Sequence, residues 1–307
     1  MASPQHPRDS TETPWQRIDE AIADGLGEPF STLNRSPVSG GCISETWRLE
    51  GRDRAIFIKL ESVQQADQLT AEADGLAALA ASKTFRVPDV ISLGQSSERA
   101  WLALEFIETG PANASTAIRL GEQLAALHNL PQTQFGWHRN NWIGATPQPN
   151  GEDDNWTVFY REQRLEAQLE LAAANGASSQ LIARGERLAD MLDVVMSGHS
   201  PTPSLLHGDL WGGNWACDSS GNPFVFDPAC YRGDAETDIA MTTLFGGFPT
   251  AFYTAYESVR PRQPGYELRQ ELYNLYHVLN HFNVFGGGYD AQALSMINAL
   301  LAEIGMA

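Results

Sequence analysis

The sequence predicts an α+β protein of two lobes, in which an antiparallel five-stranded sheet with one helix is followed by a mainly helical lobe. Between residues 30 and 107, short apolar runs alternate with polar, glycine-containing turns, which is typical of antiparallel strands. Beyond residue 108, apolar residues recur at the spacing of amphipathic helices. We therefore place the lobes at residues 15–108 and 109–307, after an arm at residues 1–14 that its Pro, Ser and Thr content predicts to be flexible.

In the first lobe, strand-like runs are separated by turns at residues 39–41 and 51–53, where glycine permits a tight reversal of the chain. A helix is expected before the sheet because Ile18, Ile22 and Leu26 fall on one helical face. The predicted elements are helices at residues 15–26 and 63–82 and strands at residues 30–38, 43–49, 55–60, 90–93 and 101–107.

In the second lobe, helices are predicted wherever apolar residues keep a helical period over more than two turns. Residues 136–151 are too polar and too rich in proline for regular structure, so a loop is expected there. The predicted helices cover residues 114–128, 156–174, 178–197, 235–245, 250–259, 266–285 and 291–304.

Composition excludes several classes of protein. The 307 residues are 42% hydrophobic and 19% charged, as in a globular chain. A formal net charge of -18 argues against a nucleic-acid or anionic-membrane partner, since either would require a basic face. No apolar run has the features of a signal peptide or a membrane span, so we expect a cytoplasmic protein. Three cysteines are too few for a disulfide framework, and Cys217 and Cys230 are expected to be small buried side chains.

A group of polar residues at fixed intervals is the most informative feature of the chain. Asp209 precedes Asn214 by five residues, and Asp227 follows Asn214 by thirteen. Short apolar runs at residues 205–206 and 224–226 indicate buried strands, which we interpret as the two sides of one hairpin with the acids along its edge. Ordinary turn residues would not be expected to satisfy both intervals and both apolar flanks.

Protein-kinase-type phosphotransferases use this order of residues. In that interpretation Asp209 receives the proton of the acceptor hydroxyl, while Asn214 and Asp227 bind the Mg²⁺ that accompanies ATP. His207 is expected to brace the backbone rather than to transfer protons.

The first lobe supplies candidates for binding the nucleotide. Lys59 ends a buried apolar run, a costly position unless the charge is paired, and Glu72 on the following helix is the expected partner. Glu61 or Asp67 could take the place of Glu72.

Backbone groups complete the predicted nucleotide site. Gly40 and Gly41 lack a Cβ and could let amides approach the phosphates, although an ordinary hairpin turn explains them equally well and no GxGxxG pattern is present. The segment from Glu105 to Ile107 would connect the lobes and hydrogen-bond adenine, but the end of an interior strand predicts the same residues.

At the family level, the chain resembles the fructosamine kinases, or ketosamine-3-kinases, within the aminoglycoside-phosphotransferase and choline-kinase-like branch of the protein-kinase-like fold. The resemblance extends from about residue 15 to the C-terminus. The more specific part is Trp211-Gly212-Gly213 together with the aromatic and glycine segment at residues 245–248, since HGDxxxxN alone indicates only the broad fold. All of the matching segments, including these two, lie at residues 41–44, 57–59, 71–72, 206–214, 226–229, 238–241 and 244–248.

The resemblance implies ATP- and Mg²⁺-dependent phosphorylation of the 3-hydroxyl of a ketosamine, the sugar adduct that glycation leaves on an amine. The unstable product would release the amine, so small ketosamines or glycated proteins are the expected partners and deglycation is the expected role. Trp211 matches a position that flanks the sugar, and His281 is a candidate substrate-binding residue. The polar residues at 140–155 and near 280 could contact the acceptor or only one another.

Two alternatives remain open from the residues. One is a kinase for another hydroxylated amine, such as an aminoglycoside, choline or homoserine. The other is a pseudokinase that only binds, against which the presence of Lys59, Asp209, Asn214 and Asp227 argues.

Cys42 is a redox candidate because it follows the Gly40-Gly41 turn. Members of the resembled family can carry a cysteine in this loop that links two chains under oxidation. A monomer or a weak homodimer is the expected state of this chain.

Overall fold

The computed structural model describes residues 14–38 and 45–305. The backbone forms two compact units, one made of Met1–Ala73 and Asp89–Phe106 and the other of Asp74–Pro88 and Ile107–Ala307. Residues 74–88, which the sequence analysis assigned to the first lobe, thus cluster with the second unit.

The first unit is built on a five-stranded antiparallel sheet, counted over the described residues, with strand order β1-β2-β3-β5-β4. This confirms the predicted sheet, and an α-helix follows its third strand as expected. The elements are α1 (Pro14–Leu26), β1 (Asn34–Pro37), β2 (Glu45–Glu50), β3 (Ala55–Ser62), a 3₁₀ turn (Val63–Gln65), α2 (Ala66–Ser82, which continues into the second unit), β4 (Val90–Gln95) and β5 (Arg99–Glu105).

The two faces of β3 serve different purposes. Side chains alternate across a strand, so Ile56 and Ile58 share one face, where they form a core with Ile18 and Ile22 of α1. Lys59 points to the other face, where it is buried and contacts Glu72 of α2. A strand at the centre of the sheet therefore carries a buried cation.

The second unit is mainly helical. Its core collects around α10, where Leu272, Leu275 and Leu279 are fully buried. The elements are α3 (Ala114–His128), β6 (Asn141–Ile143), β7 (Thr146–Gln148), α4 (Trp156–Tyr160), a π-helix (Arg161–Glu166), α5 (Ala167–Ala174), α6 (Ser179–Asp190), α7 (Leu192–Val195), β8 (Ser204–Leu206), β9 (Trp215–Cys217), β10 (Pro223–Val225), β11 (Tyr231–Gly233), α8 (Glu236–Leu244), α9 (Thr250–Val259), α10 (Tyr266–Phe285) and α11 (Tyr289–Glu303).

The expectation of no regular structure at residues 136–151 is wrong. Strands β6 and β7 form a short hairpin in which Asn141 lies opposite Gln148. These polar side chains are buried and bonded to one another, with Gln148 Nε2 2.8 Å from Asn141 Oδ1. The polarity that suggested a loop instead satisfies an internal hydrogen-bond network.

The strands that frame the predicted catalytic residues are also paired differently from the expectation. We expected the runs at 205–206 and 224–226 to form one hairpin, but β8 pairs with β11, and β9 pairs with β10. The β9–β10 hairpin is thus nested inside the β8–β11 pair. Two loops result, one from β8 to β9 and one from β10 to β11, and each carries one of the predicted acids.

None of the helices in the described part of the chain combines the length and the apolar character needed to cross a bilayer.

Candidate active site

Asp209, Asn214 and Asp227 lie on the two loops of the nested strands. Asn214 Nδ2 donates to Asp209 Oδ2 at 3.0 Å and to the Asp209 carbonyl oxygen at 2.8 Å. The same nitrogen is 3.5 Å from the carbonyl oxygen of Asp227. The Phe226 amide also donates to the Asn214 carbonyl oxygen, at 3.1 Å, which connects the loops. The structure therefore brings the three predicted residues together.

The backbone of these loops imposes strict requirements on two positions. Gly208 has a φ of +82°, and a Cβ there would lie 2.1 Å from the carbonyl oxygen of Ala229. Asp227 adopts a left-handed φ of 55°, which is uncommon for a residue other than glycine. Such conformations persist where the surroundings hold them, and they concentrate at functional sites.

His207 braces both loops, as expected from the sequence. Its Nε2 lies 3.0 Å from the Phe226 carbonyl oxygen, which can only accept, so Nε2 carries the proton. The other nitrogen, Nδ1, accepts from the Asp209 amide at 3.3 Å. Burial lowers the pKa of His207, consistent with this neutral form.

Asp238 holds the start of the same loop. Its two carboxylate oxygens accept from the amides of His207 at 2.8 Å and Gly208 at 2.9 Å. Burial alone would raise the pKa of Asp238, but the hydrogen bond from His128, at 3.2 Å, and the hydrogen bond from the Gly208 amide hold the pKa below its usual value. Asp238 is therefore a brace on the loop rather than a helix cap, since α8 begins two residues earlier.

The electrostatic environment of Asp209 suits proton transfer. Burial, and next the neighbouring charge of Asp227, raise the pKa of Asp209 to about 7, while the hydrogen bond from Asn214 opposes that rise. A carboxylate with a raised pKa is a stronger base than an exposed one, and with a pKa of about 7 roughly half of it is ionised at neutral pH. The geometry and the pKa both fit the predicted base.

The donor set of the two loops fits Mg²⁺. Because Asn214 directs its amide hydrogens toward Asp209, its Oδ1 is left for another partner. An amide oxygen and the Asp227 carboxylate are hard oxygen ligands, which Mg²⁺ prefers. These two residues would hold the ion, and the ion would neutralise charge on the ATP phosphates.

In the first unit, Lys59 and Glu72 form the ion pair expected from the sequence. Lys59 Nζ lies 2.8 Å and 2.9 Å from the two oxygens of the Glu72 carboxylate. The side chains are 8% and 15% exposed, so the pair is shielded from water. Of the three acids considered, Glu72 is thus the partner.

The remaining nucleotide candidates differ in what the structure shows. Glu105 ends β5, and its amide donates to the Asp89 carbonyl oxygen at 2.9 Å. Ile107 follows the strand and is buried. Their predicted contact with adenine stays a prediction. Gly40, Gly41 and Cys42 lie outside the described residues.

Aromatic side chains connect the two predicted substrate residues. The Trp211 ring packs edge-on against Phe245 with 5.9 Å between centroids, and Phe245 lies 4.9 Å from the ring of His281. Gly213 permits the position of the indole, since a Cβ there would lie 2.3 Å from Trp211. Phe245 thus joins Trp211 to His281, although the sequence analysis assigned Phe245 no role at the site.

A buried arginine is the main feature that the sequence analysis missed. Arg164, on the π-helix, is fully buried, and it stacks on Tyr231 with 3.9 Å from its guanidinium carbon to the ring centre. Its hydrogen-bond partners in the described chain are neutral oxygens, including Asn150 Oδ1 at 2.8 Å. Asn150 in turn donates to Asn141 at 2.7 Å. A π-helix has no simple sequence pattern, so no signal identified this position.

Most of the other polar residues that could have contacted the acceptor form hydrogen bonds within the protein. Asn140 accepts from the Asn150 amide at 2.9 Å, Asn155 caps α4, and Asn283 donates to Gln168 at 2.7 Å. For these three asparagines, the contacts favour hydrogen bonding within the protein over contact with the acceptor.

The second unit has an aspartate bonded to an asparagine and a second acid on another loop, and the first unit has a buried pair between a lysine of the sheet and a glutamate of α2. These are the residue types that a protein-kinase-like phosphotransferase requires. The fold is also that of a protein-kinase-like phosphotransferase. The structure of the aminoglycoside phosphotransferase APH(4)-Ia superimposes over 93% of this chain and 97% of its own, with a TM-score of 0.60 and 14% sequence identity.

A family model described as fructosamine kinase matches residues 14–303. A probable ketoamine kinase of Synechocystis sp. is 46% identical, covering 95% of this chain and 98% of that protein. The chloroplastic protein-ribulosamine 3-kinase of Arabidopsis thaliana is 38% identical, covering 86% of this chain and 81% of its own. A crystal structure from Haemophilus somnus 129PT, provisionally named fructosamine-3-kinase, superimposes with a TM-score of 0.85 at 30% identity, covering 92% of this chain and 96% of that one.

The chain belongs to the fructosamine kinase family. It is an ATP-dependent phosphotransferase that acts on an alcohol group.

Proposed function

We propose that this enzyme transfers the γ-phosphoryl group of ATP to the 3-hydroxyl of ketosamines. The observation that carries the proposal is the hydrogen bond from Asn214 to Asp209, which orients a base with a raised pKa in a chain of this family. The names of the relatives, ketoamine kinase and ribulosamine 3-kinase, support a ketosamine as the acceptor.

Each residue of the site has a defined task in this reaction. Asp209 accepts the proton of the 3-hydroxyl as the bond from that oxygen to the γ-phosphorus forms and the bond from the phosphorus to the ADP oxygen breaks. Asn214 fixes the orientation of the Asp209 carboxylate through its 3.0 Å hydrogen bond. Lys59, positioned by Glu72, contacts the phosphates of ATP.

The product of this transfer explains a role in deglycation. A ketosamine carries its nitrogen on C1 and a ketone at C2, so enolisation between C1 and C2 places the C3 phosphate where it can leave. Loss of inorganic phosphate then gives an unsaturated imine, and water hydrolyses the imine to release the amine. The enzyme would thus initiate the removal of a sugar from a small amine or from a protein.

A panel of acceptors tests the proposal. ADP formation would be followed with ketosamines of small amines, glycated protein, choline, homoserine and an aminoglycoside. We expect turnover with ketosamines, and ³¹P and ¹³C NMR of the product should place the phosphate on O3. Phosphate on another oxygen, or turnover only with a different class of acceptor, would reject the proposal. ATP binding without turnover of any acceptor would favour a binding module.

A further inference from the structure

A row of aromatic side chains extends from the catalytic loop across the second unit. The row consists of Trp211, Phe245, His281 and Phe285, and Tyr289 flanks it. The distances between ring centres are 5.9 Å from Trp211 to Phe245, 4.9 Å from Phe245 to His281, and 5.6 Å from His281 to Phe285. Tyr289 lies 5.3 Å from His281. One end of the row is therefore two residues from the base Asp209, and the other lies at the end of α10.

The row is unusually open to solvent. Trp211, Phe245 and Phe285 are 36%, 41% and 57% exposed, and they are the three aromatic residues among the exposed large hydrophobic side chains of the described chain. Clustered exposed aromatic residues indicate a binding surface, whereas isolated ones do not. Their position beside a catalytic residue indicates that the surface serves the substrate.

No arginine in the described part of the chain stacks on a ring of this row. Seven arginine–ring contacts occur among the described residues, and each of them involves a ring outside the row. Aromatic faces attract cations, most strongly where water is displaced. A positively charged ligand would thus not compete with an arginine of the described chain for these rings.

His281 adds a hydrogen-bond acceptor to the row. Its Nδ1 lies 2.7 Å from the carbonyl oxygen of His277, which can only accept, so the proton is on Nδ1. In the neutral ring Nε2 then carries a lone pair, which can accept from an N–H group. The row therefore combines apolar surface, aromatic faces and one acceptor.

We propose that this aromatic row binds the amine part of the acceptor and selects ketosamines whose nitrogen carries an apolar substituent of several carbons. This inference rests on the proposed function. With the 3-hydroxyl at Asp209, the nitrogen on C1 is only two carbons away, so the substituent must leave the sugar close to Trp211. The nitrogen is a secondary amine, and its protonated form suits the ring faces and the His281 acceptor. Phe245, the ring next to Trp211, would then be a determinant of specificity.

A graded series of acceptors measures this selection. We would compare kcat/KM for 1-deoxyfructosyl adducts of methylamine, butylamine and benzylamine. Because the rings of the row are partly exposed, we expect about half of the surface of the three or more additional carbons to be buried, which predicts values for butylamine and benzylamine about tenfold above methylamine. The difference should lie in KM, since the substituent takes no part in phosphoryl transfer.

Variants at the ring next to Trp211 locate the selection. Phe245→Ala should reduce the butylamine-to-methylamine ratio to about one, because a butyl group that starts near Trp211 reaches the Phe245 ring, 5.9 Å away. Phe245→Leu should retain most of that ratio because it keeps apolar surface. Val194→Ala, a change at an exposed apolar residue of α7 with 45% exposure, should leave all three values unchanged. Thermal melting of each variant would verify folding.

The outcomes separate this inference from the function on which it rests. Turnover of all three adducts with equal kcat/KM in the wild type would overturn the inference while leaving the ketosamine kinase activity in place. An unchanged ratio in Phe245→Ala would also overturn it. Absence of turnover with every ketosamine would overturn both.

Discussion

Asn214 donates a hydrogen bond from Nδ2 to the Asp209 carboxylate, with 3.0 Å between nitrogen and oxygen. The same nitrogen donates to the Asp209 carbonyl oxygen at 2.8 Å, so the orientation of the amide is fixed by two contacts. In the proposed reaction, one side chain would thereby orient the base and leave its own oxygen for a metal ion. The two proposed roles are separable, because Asp227 would supply the second metal ligand from another loop.

Asp209→Asn should reduce kcat by about 10² to 10⁴ while leaving MgATP affinity nearly intact, because this change removes a proton acceptor. Asp227→Ala should instead abolish Mg²⁺-dependent ATP binding. Calorimetric titration of ATP with and without Mg²⁺, together with steady-state kinetics, measures both effects. Equal loss of MgATP affinity in the two variants would contradict this division of roles.

Gly208→Ala should lower the free energy of unfolding by about 2–4 kcal/mol, because it combines a positive φ with an overpacked contact. The added Cβ would lie 2.1 Å from the Ala229 carbonyl oxygen. Gly212→Ala is the matched control for stability, since no atom lies within 4 Å of a Cβ at that position. Urea unfolding of the two variants measures the difference, and equal stabilities would contradict the requirement for glycine at 208.

Hydrophobic periodicity accounts for what the sequence predicted well. The five-stranded sheet followed from short apolar runs, and Glu72 was the expected partner of Lys59 because α2 follows β3 directly. The intervals between Asp209, Asn214 and Asp227 indicated one site because short connecting segments keep the residues at their ends close together in space. The Lys59–Glu72 pair joins neighbouring elements of the chain, and the order of Asp209, Asn214 and Asp227 is the one that phosphoryl transfer requires.

The features that the sequence did not predict depend on contacts between residues that are far apart in the chain. Strand β8 pairs with β11, more than twenty residues later, and the apolar pattern of a three-residue strand does not identify its partner. The β6–β7 hairpin is polar because its side chains bond to one another and, through Asn150, to Arg164. Burial of polar groups by mutual hydrogen bonding leaves no hydrophobic signal.

Glu72→Gln should raise KM for ATP at least about tenfold, because Lys59 loses the carboxylate that positions it. It should also lower the free energy of unfolding by about 1–3 kcal/mol, since a largely buried charge loses its partner. Asp67→Asn on the same helix is the control, as the sequence alone left Asp67 open as an alternative. ATP kinetics and urea unfolding measure both quantities, and a larger effect of Asp67→Asn would reject the pairing as functional.

Stability should decrease in acid because of His277. Burial lowers the pKa of His277 to about 3 in the folded protein, whereas an unfolded histidine titrates near 6.5. Below pH 6.5 the unfolded chain therefore binds a proton that the folded chain does not, and the free energy of unfolding falls as pH falls. The contribution approaches about 1.4 kcal/mol per pH unit between the two pKa values.

His277→Gln should remove this contribution. Urea unfolding at several pH values between 7 and 4.5 would give the slope of stability against pH for both proteins. We expect the variant to have the shallower slope by about one proton. Parallel slopes would show that His277 becomes protonated in the folded state.

Oxidation should inactivate the enzyme reversibly through Cys42, which lies outside the described residues. Cys217 and Cys230 are both buried, and burial raises the pKa of the Cys230 thiol well above its ordinary value, which disfavours the reactive thiolate. The resemblance to fructosamine kinases suggests a disulfide between two chains at Cys42. Such a link near the predicted phosphate-binding turn would hinder nucleotide binding, and reduction would reverse it.

Wild type and Cys42→Ala would be treated with peroxide and then with dithiothreitol, and activity and mobility on non-reducing gels would be followed together. The wild type should lose activity as a dimer band appears, and both changes should reverse on reduction. Cys42→Ala should retain its activity and remain a monomer on the gel. Cys217→Ala is the matched control, because a buried thiol should not form the link, so this variant should respond like the wild type. Equal inhibition of Cys42→Ala and the wild type, or a dimer that persists in Cys42→Ala, would show that oxidation acts at another residue.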